Sequence, residues 1–207
     1  MLPRRRLWFS GLIVSLLMTA MPALPAGAST PVRFGAKLTH TTQPTPAETC
    51  QDNTGGPAGS TCTWVAVVAF ENMSTGNNQK APKTGTIGRV RLISCVSGKF
   101  TVQVARKQSG TQKYKVVKNG PTITYHKDTQ TGGCGGDNGD NYIIQSFRVG
   151  FTITKGDYIA VKASKVGFMH NSSSGDSFLY RPPLAPGGSY KTRTGASGGL
   201  LVSFQYK

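Results

Sequence analysis

Apolar side chains in this chain recur at every second position, in short runs cut apart by glycine, asparagine and proline. Phe100, Val102 and Val104 alternate with Thr101 and Gln103, and Phe147, Val149, Phe151 and Ile153 alternate with Arg148, Gly150, Thr152 and Thr154. Val90, Leu92 and Ser94 alternate with Arg89, Arg91 and Ile93, and Leu200, Val202, Phe204 and Tyr206 with Leu201, Ser203 and Gln205. A period of two puts successive side chains on opposite faces, so each run reads as a strand with one buried and one wet face. The run Trp64–Phe70 is apolar on both faces and reads as a central strand. No stretch shows a 3.6-residue period, and 26 glycines and 12 prolines oppose long helices.

The punctuation agrees with short antiparallel strands. Ser97-Gly98 and Asn119-Gly120-Pro121 are expected to separate strand pairs, and Lys155-Gly156-Asp157 to join Ile153 to Tyr158–Val161. The expectation is an all-β chain forming one antiparallel β-sandwich over residues 47–207, preceded by an extended lead-in over 29–46.

The first residues carry a different signal. Arg4, Arg5 and Arg6 precede an apolar run from Leu7 to Met21, and Ala26-Gly27-Ala28 supplies the small-x-small pattern of a cleavage site. Residues 1–28 are expected to be a secretory signal peptide. The run is too short to span a bilayer comfortably and stops at Pro22. The localisation expected is therefore secreted, extracellular, with no transmembrane segment.

Four cysteines, Cys50, Cys62, Cys95 and Cys134, suit two disulfides in an exported chain, with three possible pairings. Cys50 and Cys62 flank the turn-rich Asp52-Asn53-Thr54-Gly55-Gly56, which favours Cys50–Cys62 and, with it, Cys95–Cys134. A zinc site does not fit: there is no C-x-x-C, and His40, His126 and His170 do not cluster with the cysteines.

Three segments carry a resemblance. Ala81-Pro82-Lys83-Thr84-Gly85-Thr86-Ile87, Phe100–Arg106 and the Lys155-Gly156-Asp157 turn with its flanking strands, followed by Pro182-Pro183-Leu184-Ala185-Pro186-Gly187-Gly188, resemble a family of secreted actinobacterial jelly-roll β-sandwich proteins. Spanning most of residues 81–205, the resemblance implies the jelly-roll fold and carries no activity.

Charge is the most informative functional feature. The chain has 24 Lys and Arg against 8 Asp and Glu, and the stretch Asn72–Lys127 holds eleven basic residues and no acid. Arg89 and Arg91 share one face of a strand, as do Lys113 and Lys115, and a concentrated positive face attracts an anionic polymer such as an acidic or phosphate-bearing polysaccharide. Basic residues on strands also oppose edge-to-edge aggregation and keep a protein soluble. Nucleic acid is a weaker expectation, because no recognition motif or basic helix accompanies the charge.

Other constellations point less far. Asp137 and Asp140, in a Gly- and Asn-rich loop, offer calcium hard oxygens but without EF-hand spacing; no other cofactor is implied. Gly175-Asp176-Ser177 resembles the nucleophile segment of chymotrypsin-like proteases but lacks the following glycines, and His126 is not in the expected setting. Glu48 and Glu71 are the glutamates open to a glycosidase reading. Tyr114, Tyr125, Tyr142, Tyr158, Tyr180 and Tyr190 are candidates for sugar stacking, but each taken singly is better read as a half-buried packing residue with its hydroxyl in water. The function expected is a non-enzymatic binding module for an anionic extracellular polymer through Arg89, Arg91, Lys113 and Lys115. The alternative is a secreted hydrolase acting on polysaccharide or protein.

Overall fold

The computed structural model describes residues 31–68, 79–128, 142–170 and 176–207. The strands are β1 (Arg33–Gly35), β2 (Glu48–Thr49), β3 (Cys62–Ala66), β4 (Gly85–Leu92), β5 (Gly98–Lys107), β6 (Tyr114–Tyr125) and β7 (Gln145–Ile153). After these come β8 (Tyr158–Ala163), β9 (Lys165–Val166), β10 (Met169–His170), β11 (Asp176–Tyr180), β12 (Gly195–Leu200) and β13 (Val202–Tyr206). A five-residue helix, α1 (Cys50–Thr54), interrupts them. No helix of the described residues is long and apolar enough to cross a membrane.

Two antiparallel sheets face each other, as the alternating pattern requires. One has the order β1-β13-β4-β7, and the other β10-β12-β11-β3-β8-β5-β6. Setting aside the short β2–β9 pair and the added β10-β12-β11, eight strands remain. In chain order the first sheet then reads first-eighth-third-sixth and the second second-seventh-fourth-fifth, the strand order of a jelly roll. The added strands all fall between the seventh and eighth strands of that frame.

The inward residues of both sheets form the main core. Phe34, Ile87, Val90, Phe151 and Phe204 from the first sheet meet Trp64, Phe100, Val102, Ile159 and Val161 from the second. Edge-to-face ring pairs lock it: Phe34–Phe204 at 5.7 Å and Phe151–Phe204 at 5.5 Å between centroids. Phe34 lies within the expected lead-in, so that segment supplies the outermost strand of the first sheet, paired Arg33↔Gln205 and Gly35↔Ser203.

Two local expectations change, and the expected turn between Ile153 and Tyr158 is present but links the two sheets. Asn119-Gly120-Pro121 is not a reversal between two strands but a bulge inside β6. The register passes from Thr101↔Thr122 to Gln103↔Asn119, and proline is tolerated because β6 is an edge strand that needs no donor there. The run ending in Tyr206 is not one strand: Leu200 and Leu201 are both buried, and the chain changes sheet between β12 and β13. Gly156, at φ 87°, turns the chain from β7 in one sheet to β8 in the other, so it closes a sheet-to-sheet corner.

The disulfide Cys50–Cys62 joins the first residue of α1 to the first of β3. A disulfide is consistent with an oxidising, extracellular setting. The expected partner of Cys95, Cys134, lies outside the described residues, as do the signal-peptide residues 1–28, the calcium candidates Asp137 and Asp140, and Glu71.

Candidate functional site: the arginine face of the four-stranded sheet

Alternation decides which residues this sheet turns outward. On β13, Val202, Phe204 and Tyr206 are buried in the core, which leaves Ser203 and Gln205 on the outer side. The pairings Arg33↔Gln205, Gln205↔Arg89 and Arg89↔Arg148 then form one continuous row across all four strands. The next row runs Gly35↔Ser203↔Arg91↔Ser146. Two rows thus hold four arginines, and neighbouring strands stand only about 4.8 Å apart.

Among the described residues, few of their donors are engaged. Arg33 Nε donates to Gln205 Oε1 at 3.2 Å, and Arg89 Nη1 to Ser146 Oγ at 3.4 Å. Each guanidinium carries five N–H donors in a planar fork, so most have no acceptor among the described residues. Three described carboxylates are engaged elsewhere: Asp157 accepts from Arg106 at 2.7 and 3.0 Å, Asp128 from the Ile143 N–H, and Glu48 from the Ser197 hydroxyl. Burial first, then the charges of Arg33 and Arg89, holds the Arg91 guanidinium below its usual pKa. Like charges directly opposite on adjacent strands, as in Arg89↔Arg148, are destabilising.

The row has relief as well as charge. A depression of ≈ 330 Å³ is lined by Gly88, Arg89, Arg148, Gln205 and Lys207 among others. Gly88 sits where the β4–β7 register shifts, and a Cβ there would lie 2.7 Å from Lys207 Cγ, so the bare glycine lets Lys207 pack across the strand.

The structure separates the four expected binding residues. Arg89 and Arg91 lie on this face; Lys113 immediately precedes β6 and Lys115 lies in its first residues, on the edge of the other sheet. Lys115 Nζ stands 4.7 Å over the Tyr190 ring. Arg33 and Arg148 complete the row but fall outside the basic block, since only the sheet register brings them in.

Several other described candidates are engaged in the fold. Tyr114, Tyr125, Tyr142, Tyr158 and Tyr180 are buried, leaving Tyr190 half-buried. Ser177 is buried in β11 and donates to the Gly198 carbonyl at 2.8 Å. His126 is held through its backbone by the Gln145 side chain. Among the described residues no cluster of three metal-ligating side chains occurs. A separate cavity of ≈ 410 Å³ lies at the other sheet, lined by Tyr180, Arg181, Pro182, Leu184, Lys191 and Thr194 among others.

No protein-family model, curated protein or solved structure matches this chain.

Proposed function

We propose that the chain is a secreted, non-enzymatic binding module that holds an anionic extracellular polymer, such as an envelope polysaccharide, on the outer face of its four-stranded sheet. The observation that carries this reading is the row Arg33–Gln205–Arg89–Arg148, with Arg91 in the next row. Such an array costs the free protein through self-repulsion, and an anionic ligand turns that cost into attraction. A row spanning four strands also matches an extended chain better than a small molecule. The resemblance to secreted actinobacterial sandwiches belongs to the same proposal; it implies an exported jelly roll and names no ligand.

The test is retention of the oxidised protein on immobilised cell-wall, polysaccharide and nucleic-acid matrices across a salt gradient. Retention on an anionic polysaccharide, lost as salt rises and weakened in Arg89→Ser/Arg91→Ser, supports the reading. Retention indifferent to both salt and those substitutions contradicts it.

A further inference from the structure

The segment 181–194, between β11 and β12, is a closed loop with a hollow in it. Its ends are tied together: the Arg181 N–H donates to Thr194 Oγ1 at 3.0 Å, and the Thr194 N–H and hydroxyl both donate to the Leu179 carbonyl, at 2.8 and 3.1 Å. Its middle is anchored where the Leu184 N–H donates to Thr63 Oγ1 at 3.0 Å and the Lys191 N–H to the Tyr114 carbonyl. Between those anchors Gly187, at φ 73°, turns the chain, and the prolines hold φ fixed. A loop so tied keeps its shape without a ligand, which lowers the ordering cost of binding one. The hollow is the cavity of ≈ 410 Å³ noted above, a size that suits a small molecule. Tyr180 and Leu184, both buried, mark its inner end, and the exposed Pro182 and Ala185 continue the carbon surface outward. Its charged lining residues are Arg181, half-buried, and Lys191, exposed, and no described acid lines it.

From this joining of carbon walls and cations we infer that the cleft is a second binding site, which takes a small amphiphilic monocarboxylate. The aryl or short acyl body lies against Tyr180, Leu184 and the prolines, and the carboxylate meets Arg181 and Lys191. The site is separate from the arginine face and does not depend on the polymer-binding reading. Arg181 is steadied for this role: its Nη2 donates to the Thr54 carbonyl at 3.4 Å, and its guanidinium lies across the bare Gly56. Its other side-chain N–H groups have no acceptor among the described residues, and a guanidinium fork suits the two coplanar oxygens of a carboxylate. A neutral apolar ligand would fill the cleft but leave both cations unanswered, and an ammonium ligand would be repelled by them. A free sugar would gain nothing from the two charges and would lay its hydroxyls on proline and leucine carbon.

The experiment is titration of the full oxidised chain with phenylbutyrate, phenylbutanol, phenylbutylamine and acetate at fixed salt, followed by amide NMR shifts. Phenylbutyrate should bind in the low-millimolar range or tighter, as about a dozen non-hydrogen atoms allow, and should move the amides of Leu184, Ser189 and Thr194. The alcohol and the amine should bind at least about tenfold more weakly, since neither makes the charge-assisted bonds. Acetate, which has the charge without the body, should leave those amides in place. Lys191→Gln, at an exposed side chain, should weaken phenylbutyrate by about two- to fivefold and leave phenylbutanol unchanged. Arg181→Gln should weaken it by about fivefold or more. Equal binding of the acid and the alcohol would overturn the carboxylate ligand. Shifts confined to β4, β7 and β13 would put the anion on the arginine face and overturn the cleft as its site. No shift from any of the four compounds would overturn the inference outright, and none of these outcomes bears on polymer retention.

Discussion

On the seven-stranded sheet the outward residues Val65, Ala105, Tyr114, Val116, Tyr158 and Ala160 meet a second layer of protein. On the four-stranded sheet no second core is formed over the outward Arg33, Arg89, Arg91 and Arg148 among the described residues. The second layer is the segment 181–194 between β11 and β12. It docks through Leu184 on the small outer core and pairs with edge strand β6 by Lys191 N–H to Tyr114 O at 2.8 Å and Gly187 N–H to Val116 O at 3.0 Å. Beneath it Tyr114 stacks edge-on against Tyr158 at 5.1 Å and Phe178 at 6.1 Å. A buried polar bridge fixes the segment: Thr63 Oγ1 donates to Gln103 Oε1 and accepts from the Leu184 N–H, while Gln103 Nε2 donates to Asn119 Oδ1 and to the Leu184 carbonyl.

Cations follow the same division. Around the covered face they have partners: Arg106 binds Asp157, Lys115 lies over Tyr190, and Arg193 stands 4.3 Å over Phe178. On the open face arginines oppose one another across β4 and β7. Three cations at the covered face are thus met by a carboxylate or a ring, whereas the arginines of the open face meet only neutral side chains and one another. That difference argues for polymer binding on the open side and stability on the covered side.

The largest effect should come from breaking the covered face. Tyr114→Ala removes the ring at the centre of the small aromatic core and should cost about 3–5 kcal/mol, read by urea denaturation. A loss below 1 kcal/mol would mean the segment 181–194 is not packed as a second core. Next, Gln103→Ala strands the Thr63 hydroxyl and Leu184 backbone beneath that segment. It should cost about 1–3 kcal/mol and increase hydrogen exchange at Leu184.

A smaller effect follows from pH. Burial raises the pKa of Tyr114, Tyr125, Tyr180 and Tyr206 above the ordinary tyrosine value of about 10. Their contribution to stability is complete below the unfolded value and is lost as pH rises toward the folded ones, so stability should fall from about pH 10 upward. Phenolate absorbance should show these hydroxyls ionising only as the protein unfolds; an ordinary titration near pH 10 in the folded state would contradict their burial. Smallest of all, Arg148→Ser should change stability by no more than about 0.5 kcal/mol, and in the stabilising direction at low salt, because it removes a like-charge pair.

The sequence carried the main architecture and lost what depends on pairing. Alternation placed Val90, Val102 and Phe204 inside and Arg89 and Arg148 outside, which the register bears out. Gln103 defeats the pattern: it reads as wet, yet it is buried because residues far along the chain cover that side of the sheet. The all-apolar run from Trp64 was the one local sign of a covered outer face. Similarly, Arg33 and Arg148 are separated from Arg89 by tens of residues, and only the order β1-β13-β4-β7 makes them a row. Lys113 and Lys115 share the same basic stretch as Arg89 and Arg91, but proximity in sequence did not place them on one sheet.

The most direct test of the open-face account compares two charge-matched variants on one anionic column. Arg89→Ser/Arg91→Ser removes two cations from the arginine face, and Lys113→Ser/Lys115→Ser removes two from the other sheet. Retention on a polyphosphate matrix, read as the salt needed for elution, should fall sharply for the first and stay near the unaltered protein for the second. Equal loss in both would mean net charge alone governs binding, and loss confined to the lysine variant would place the site on the wrong sheet.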